Sequence, residues 1–379
     1  MARQGEDSRV FGAILREFNY DAIQTCAGDG SCEIACPVDI NTGALMKYFR
    51  HLEHRPRAER VAATFARHFG TVERVARIVV GAADTTAQVL GHRTLTAVTN
   101  MARAVVSKDL MPGWLPNMPA AAKAKLPKTP REGAAGVYFT SCVNRIFGRM
   151  PSQESKPSLQ EAMIAVSARA GLPLWIPEDI GGHCCATIWH SKGYVQGNAV
   201  MANRTTESLW RWSDGGRLPI VCDASSCSFG ITSEIVEYLT PQNRERHAQL
   251  SVFDSVAWAH DRLLSKLKIR RKVASAVVHP SCSISHLKLA KELHALAAAM
   301  AHEAVTPAAH GCCGFAGDRG FLHTELTRAA TAGEAEEVRA RKFDAYLGSN
   351  RACEIGLNLA TGRDYVSFIY LLEELTRRT

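Results

Sequence analysis

The chain lacks any run of eighteen or more apolar residues, so no segment is predicted to span a bilayer. Its first residues, MARQGEDSRVFG, have none of the apolar centre of a secretory signal. A dense Lys/Arg stripe with interleaved aromatics is also missing. The formal charge of +8 is spread over 379 residues, which describes a solvated surface and predicts no nucleic-acid partner. No glycine-rich dinucleotide fingerprint follows a strand near the N-terminus. No C-x2-C knuckle of the kind that holds structural zinc occurs. Cysteine, by contrast, is plentiful, with twelve in all. Without an export signal these are expected in a reducing cytoplasm, where thiolates serve metals or redox chemistry more often than disulfides.

Punctuation divides the chain. Residues 1–108 read as helical, with helices expected at SRVFGAILREF and at NTGALMKYFRHL, the latter capped by Asn41 or Thr42. Five prolines between Pro112 and Pro130 predict an extended linker over 109–133. Beyond it, β-branched runs alternate with helical ones: strands at GVYFTSC, LPLWIP, LPIVCDAS and ASAVVHPSC, and a helix whose capping box is Ser158 with Glu161 and whose stop is Gly171. The expected fold class is α/β, with a mainly parallel sheet.

The cysteines beyond the linker repeat. Cys142, forty-one residues, Cys184 with Cys185, forty-one residues and Cys227 form one series; Cys282, twenty-nine residues, Cys312 with Cys313, thirty-nine residues and Cys353 form the other. Local text agrees: YFTSC with VHPSC, GGHCC with AHGCC, SSCSFG with RACEIG. The halves are taken as 134–272 and 273–379. Each places four thiols at predicted strand ends, where α/β sheets build their sites. Neighbouring side chains on a strand point to opposite faces, so a tight turn must bring both members of each adjacent pair to one centre. A polynuclear iron-sulfur centre suits such a pair; one tetrahedral zinc per half, or unligated core thiols, are the alternatives. Cys222 fits neither series and is expected to be a core thiol.

A different motif precedes the linker. CAGDGSCEIACP carries Cys26, Cys32, Cys36 and Pro37 in the frame of the ferredoxin run C-x2-C-x2-C-x3-C-P, with Asp29 in place of the second cysteine. Asp29 is either a turn residue of AGDG, the favoured reading, or an oxygen ligand.

Together these motifs resemble the duplicated CCG domains of the cysteine-rich heterodisulfide reductase subunit and of the glycolate oxidase iron-sulfur subunit. They are most similar to the C-terminal region of FAD-linked D-lactate dehydrogenases, from about residue 10 onward. The resemblance implies a small helical ferredoxin-like domain followed by a duplicated Rossmann-like CCG domain. It implies [4Fe-4S] clusters on Cys26, Cys32, Cys36, Cys142, Cys184, Cys185, Cys227, Cys282, Cys312, Cys313 and Cys353. In that family a complete run lies upstream of the incomplete one, so Cys36 is expected to serve a cluster completed by a motif absent here, and Cys26 and Cys32, with or without Asp29, another. In noncubane CCG sites the last cysteine sits in a C-x-x-C pair; Gly230 and Gly356 stand there in this chain, which argues against noncubane geometry. The flavin domain of the family is absent, so FAD is expected on a partner or missing domain, with a quinone or cytochrome as acceptor. The rival implication is a stand-alone CCG thiol or disulfide reductase.

Smaller expectations remain. His183 and His310 flank the cysteine pairs and either bond a thiolate or are satisfied by backbone; His190 and His323 are assigned surface or core roles. Arg319, in GDRGF, either faces an anionic centre or makes a helix-start salt bridge, the latter preferred. The basic helices of 51–108 are read as solvated faces, with docking to a partner subunit or the inner face of the cell membrane as the alternative.

Overall fold

Eight short strands form two separate four-stranded sheets in the computed structural model, which describes residues 9–107, 111–115, 118–153 and 155–377. The first half contributes β1 (Gly136–Phe139), β2 (Leu174–Trp175), β3 (Ile220–Cys222) and β4 (Val252–Asp254). The second contributes β5 (Val273–Val278), β6 (Ala301–Val305), β7 (Ala345–Gly348) and β8 (Tyr365–Ser367). Their orders, β2-β1-β3-β4 and β6-β5-β7-β8, are the same arrangement repeated, and every pairing is parallel. The chain is therefore α/β, as its alternating pattern implies.

All four expected strands are present. β1 and β3 are fully buried, as parallel strands covered on both faces require. The helix Leu159–Arg169 begins with both arms of its capping box, Glu161 N–H to Ser158 Oγ at 3.2 Å and Ser158 N–H to Glu161 Oε2 at 2.6 Å. Gly171 follows it at φ +74°.

Before the sheets come helices Arg9–Phe18, Thr42–Glu53, Pro56–Arg67, Phe69–Leu90 and His92–Val105. The expected start of the first at Ser8 lies outside the described residues. Asn41, not Thr42, caps the second by accepting from Ala44 N–H at 2.8 Å. The described part of the proline-rich segment has no helix but is not a free spacer. Trp114, Leu115 and Met118 are buried in the core, and Ala120 N–H and Gly148 N–H bond to the carbonyls of Arg149 and Ala120.

Asp254, at the end of β4, is buried and accepts from Ser228 Oγ at 2.7 Å and Val256 N–H at 2.8 Å. Burial outweighs these bonds and pushes its carboxyl up to about 6. The folded chain thus holds a proton there that the unfolded chain has released above the ordinary carboxylate range. Its contribution is full at pH 4 and lost as pH rises through 6. Asp254→Asn is expected to match the native chain at pH 4 and to exceed its stability by up to about 3 kcal/mol above pH 6. Urea titrations of both proteins from pH 4 to 8 check this; equal differences at both ends would refute it.

Candidate metal centres

The first four thiols meet at the carboxyl edge of the first sheet. β1 runs into the helix Cys142–Ile146, which Cys142 opens, and β3 runs into the helix Ser225–Phe229, which carries Cys227. Asp223 joins the two strand ends, accepting from Tyr138 Oη and Ser141 N–H, both at 2.8 Å. Cys184 and Cys185 arrive on the loop after β2, and Cys142 Sγ lies 3.5 Å from Cys184 Sγ. Cys185 is hydrogen-bonded by the thiols of Cys184 and Cys227, which hold it well below the ordinary thiol range despite burial, with further help from the Thr187 hydroxyl and amide. Cys222 also contacts Cys227, and burial pushes its thiol up. It is a core thiol, as expected, but one that touches the set.

Each adjacent pair is followed by the turn it requires. Ala186 adopts φ +67° after Cys185, and Gly314 adopts φ +65° after Cys313. A side chain at Gly230 would lie 2.2 Å from Thr187 Oγ1 and 3.3 Å from Cys185 Cβ, so no fifth donor fits there as the loop stands.

The second set repeats the plan. Cys282 opens the helix Cys282–His286 after β5, and Cys353 lies on the helix Arg351–Thr361 after β7. Cys313 Sγ is 3.0 Å from Cys353 Sγ, and Cys312 is hydrogen-bonded to Cys282. The Cys353 thiol, working against burial and helped by nearby His279 and the Phe315 amide, brings Cys313 down to about 7. Cys282 and Cys312 are half-buried, Cys313 and Cys353 buried.

Asp29 comes to this second set. Its carboxylate and the Cys282 and Cys312 sulfurs lie within 4.8 Å of one another, the one such group of three among the described residues. Cys26, Cys32 and Cys36 are not drawn together that closely. Gly28 N–H points at Cys26 Sγ at 3.3 Å. Cys32 sits under the first turn of Thr42–Glu53; burial opposes ionisation, but the Thr42 hydroxyl and the Gly43 and Thr42 amides hold its pKa low. Cys36 ends the helix Ser31–Ala35 and is half-buried. Ligands of a polynuclear centre bind different irons and need not converge as tightly as those of one ion.

Buried cations stand behind the thiols. Arg145 is paired with Glu73 at 2.7 and 2.9 Å, donates to the His183 carbonyl at 2.6 Å, and lies beside Cys142 and Cys184. Arg50 donates to the carbonyls of Ile23 and Cys26, each at 2.6 Å, and of Ser191 at 2.5 Å. Burial and neighbouring Arg319 push Arg50 down to about 10, with Cys26 opposing. Arg319 lies within electrostatic reach of Cys26 and Asp318, but the salt bridge expected of it is not formed among the described residues, where Asp318 pairs with Lys192 at 2.7 Å. Glu73, Arg145 and Arg50 carry no motif that sequence reading could have used.

The histidines serve the loops. His183 Nδ1 meets the Ile180 carbonyl at 3.2 Å and Nε2 meets Ser208 Oγ at 2.8 Å, and burial, then Arg204, takes it down to about 4. His310 Nδ1 meets the Pro307 carbonyl at 2.6 Å. His190 lies between Lys47 Nζ at 2.7 Å and Tyr238 Oη at 3.3 Å, and His323 faces Glu325 at 3.2 Å.

Residues 276–358 match the CCG cysteine-rich domain family, a span that holds Cys282, Cys312, Cys313 and Cys353. No curated protein sequence matches the chain. A CCG domain with clustered thiols supports iron-sulfur binding and a redox-associated role. Among the described residues, no helix is long and apolar enough to cross a membrane.

Removing one partner of a buried ion pair strands the other charge. Glu73→Gln is expected to cost about 3–5 kcal/mol, and Glu73→Gln with Arg145→Met to recover most of it. Chemical denaturation measures both; a loss below about 1 kcal/mol for the single variant, the range of exposed pairs, would show that the pair does not anchor the Cys184 loop.

Proposed function

We propose that this chain is the iron-sulfur electron-transfer portion of a flavin-dependent D-2-hydroxyacid dehydrogenase of the D-lactate type. FAD on a partner chain or missing domain would supply the electrons, and a quinone or cytochrome would receive them. The observation that carries the reading is the repeated gathering of four thiols at the carboxyl edge of two sheets of identical strand order. Soft sulfur donors, backed by Arg145 in one half and His279 in the other, fit an iron-sulfur group. Cys142, Cys184, Cys185 and Cys227 would hold one, and Cys282, Cys312, Cys313 and Cys353 another. Cys26, Cys32 and Cys36 would contribute to centres shared with an upstream motif. Bound clusters would take up and release single electrons. The protein's own part is to exclude water from the sulfurs, aim amides at them and offset their charge.

Exposed Val75, Ile78, Val79, Val98 and Met101 on the helices Phe69–Leu90 and His92–Val105 support a docking face for the flavoprotein. Association with the inner face of the cytoplasmic membrane is the other use of that face. A disulfide reductase is favoured by one feature, a cavity of about 400 Å³ lined by Asp29, which approaches Cys282 and Cys312, and by His190 and His286. The glycines at 230 and 356 count against it, since neither half keeps the C-x-x-C pair at its last cysteine.

Anaerobic reconstitution with iron and sulfide should give a brown protein with acid-labile sulfide. Cys142→Ser and Cys282→Ser should each lower bound iron, and D-lactate plus a flavin-containing D-lactate dehydrogenase subunit should bleach the colour. A colourless zinc protein overturns the reading. Bleaching that requires a heterodisulfide-coupled thiol donor and ignores D-lactate transfers it to the reductase.

A further inference from the structure

We propose that Asp29 is an oxygen ligand of the second cysteine-rich centre, contributed by the N-terminal segment across 253 residues of chain to the half that holds Cys282 and Cys312. This rests on the reading of that centre as iron-sulfur. It assigns the carboxylate neither to the turn alone nor to the N-terminal cysteines that flank it in sequence.

The loop is built to deliver that side chain. Gly28 and Gly30, at φ +64° and +75°, put left-handed turns on either side of Asp29. At Gly30 the space a Cβ would need is taken by the His286 ring, 3.0 Å away. His286 Nε2 meets the Asp29 carbonyl at 2.7 Å, and its ring stacks on Phe229 with centroids 4.6 Å apart. His286 lies on the helix that Cys282 opens, so the same short element carries one sulfur and fixes the register of the carboxylate. The side chain is also bonded by Ser31, from Oγ at 2.5 Å to one oxygen and from N–H at 3.3 Å to the other. Two carboxylate oxygens offer about four acceptor sites, so this turn leaves capacity for a metal.

The Asp29 carboxylate is also hydrogen-bonded to Cys312, one of the two sulfurs it approaches. A side chain at Gly356 would meet Phe315 and Thr327 at 3.2 Å rather than the sulfurs. The first half has Cys222 beside its four thiols, whereas Gly348 stands at the matching place in the second. The two centres thus differ in their fifth neighbour: sulfur in one, carboxylate in the other. A carboxylate is the harder and more exchangeable donor for iron. Asp29 also lines the 400 Å³ cavity with Lys47, His190, Glu234, Tyr238 and His286.

The test uses the full chain, reconstituted anaerobically, with iron counts, electron paramagnetic resonance of the reduced form and a redox titration. Asp29→Ala should lose about one iron per chain and remove or reshape one signal, as expected when a cluster loses an anionic ligand. Asp29→Cys should restore the iron while shifting that signal and its potential. Ser31→Ala, which breaks the turn but keeps the carboxylate, should match the native spectrum. The affected signal should be the one already missing in Cys282→Ser. If native protein binds iron and Asp29→Ala is spectroscopically identical to it, this inference fails and the iron-sulfur reading stands. If the Asp29→Ala change persists in a Cys282→Ser background, Asp29 belongs to the N-terminal motif and the inference is likewise overturned. If Ser31→Ala reproduces the Asp29→Ala loss, the role is that of a turn and the inference is overturned. If native protein takes up no iron, both fall together.

Discussion

Sulfur that is to hold metal must be buried yet able to carry negative charge, and a protein interior penalises that combination unless positive groups and donors are already in place. Much of this fold answers that constraint. Arg145 sits beside Cys142 and Cys184 with Glu73 fixing its guanidinium. His279 bears on Cys313 and is itself held by Glu334 at 2.9 Å. Arg50 and Arg319 attend Cys26. Pairing Arg145 with a carboxylate and Arg50 with carbonyls keeps the net local charge small. The thiols can then be drawn together without an uncompensated excess of either sign.

The repeat supplies two such places and also joins them. The loops after β3 and β7 hydrogen-bond to each other, with Ser225 Oγ 2.8 Å from Ser349 Oγ and Ser226 Oγ 3.2 Å from Asn350 Oδ1. Arg351 Nε reaches Asn144 Oδ1 at 3.4 Å. The helix bearing Cys227 meets the helix opened by Cys282 through the Phe229–His286 stack. A parallel sheet presents its carboxyl edge on one side only. Contacts between the halves at these edges therefore bring the elements that carry the two sets of thiols together.

Much of the fold could be read in advance because its signals are local. The strand before Cys142, the strand before Cys282 and the capping box of Ser158 each depend on neighbours within a few residues. β4 and β8 have three residues apiece and β6 reads AHEAV, so none carries enough apolar pattern to announce a strand. The cysteine series was legible as a period, and the turns at Ala186 and Gly314 follow from the chemistry of adjacent thiols. The destination of Asp29 was not legible. Its sequence neighbours are cysteines of another motif, and no local rule says that a loop will cross to Cys282. Cys222 escaped in the same way, because its contact with Cys227 depends on how β3 ends rather than on spacing.

The incomplete N-terminal motif gains meaning from how tightly it is held. Glu59 accepts from Val195 N–H at 3.1 Å and Gln196 N–H at 2.9 Å, capping the helix Val195–Trp212 of the first half from outside. His54 stacks on Tyr194 at 3.9 Å, and a side chain at Gly193 would strike the backbone of Lys47 and His51 at 2.7 Å. Arg50 then ties the Cys26 carbonyl to that of Ser191. With its helices seated on the first half and its loop bonded to His286 of the second, the segment is not a ferredoxin on a tether. A fourth cysteine in place of Asp29 would put a soft donor where the loop faces Cys282 and Cys312, not where Cys26 and Cys32 lie. On the ligand proposal, the departure from the ferredoxin run therefore marks where this loop delivers its charge, and it need not mark the decay of a cluster that once stood alone.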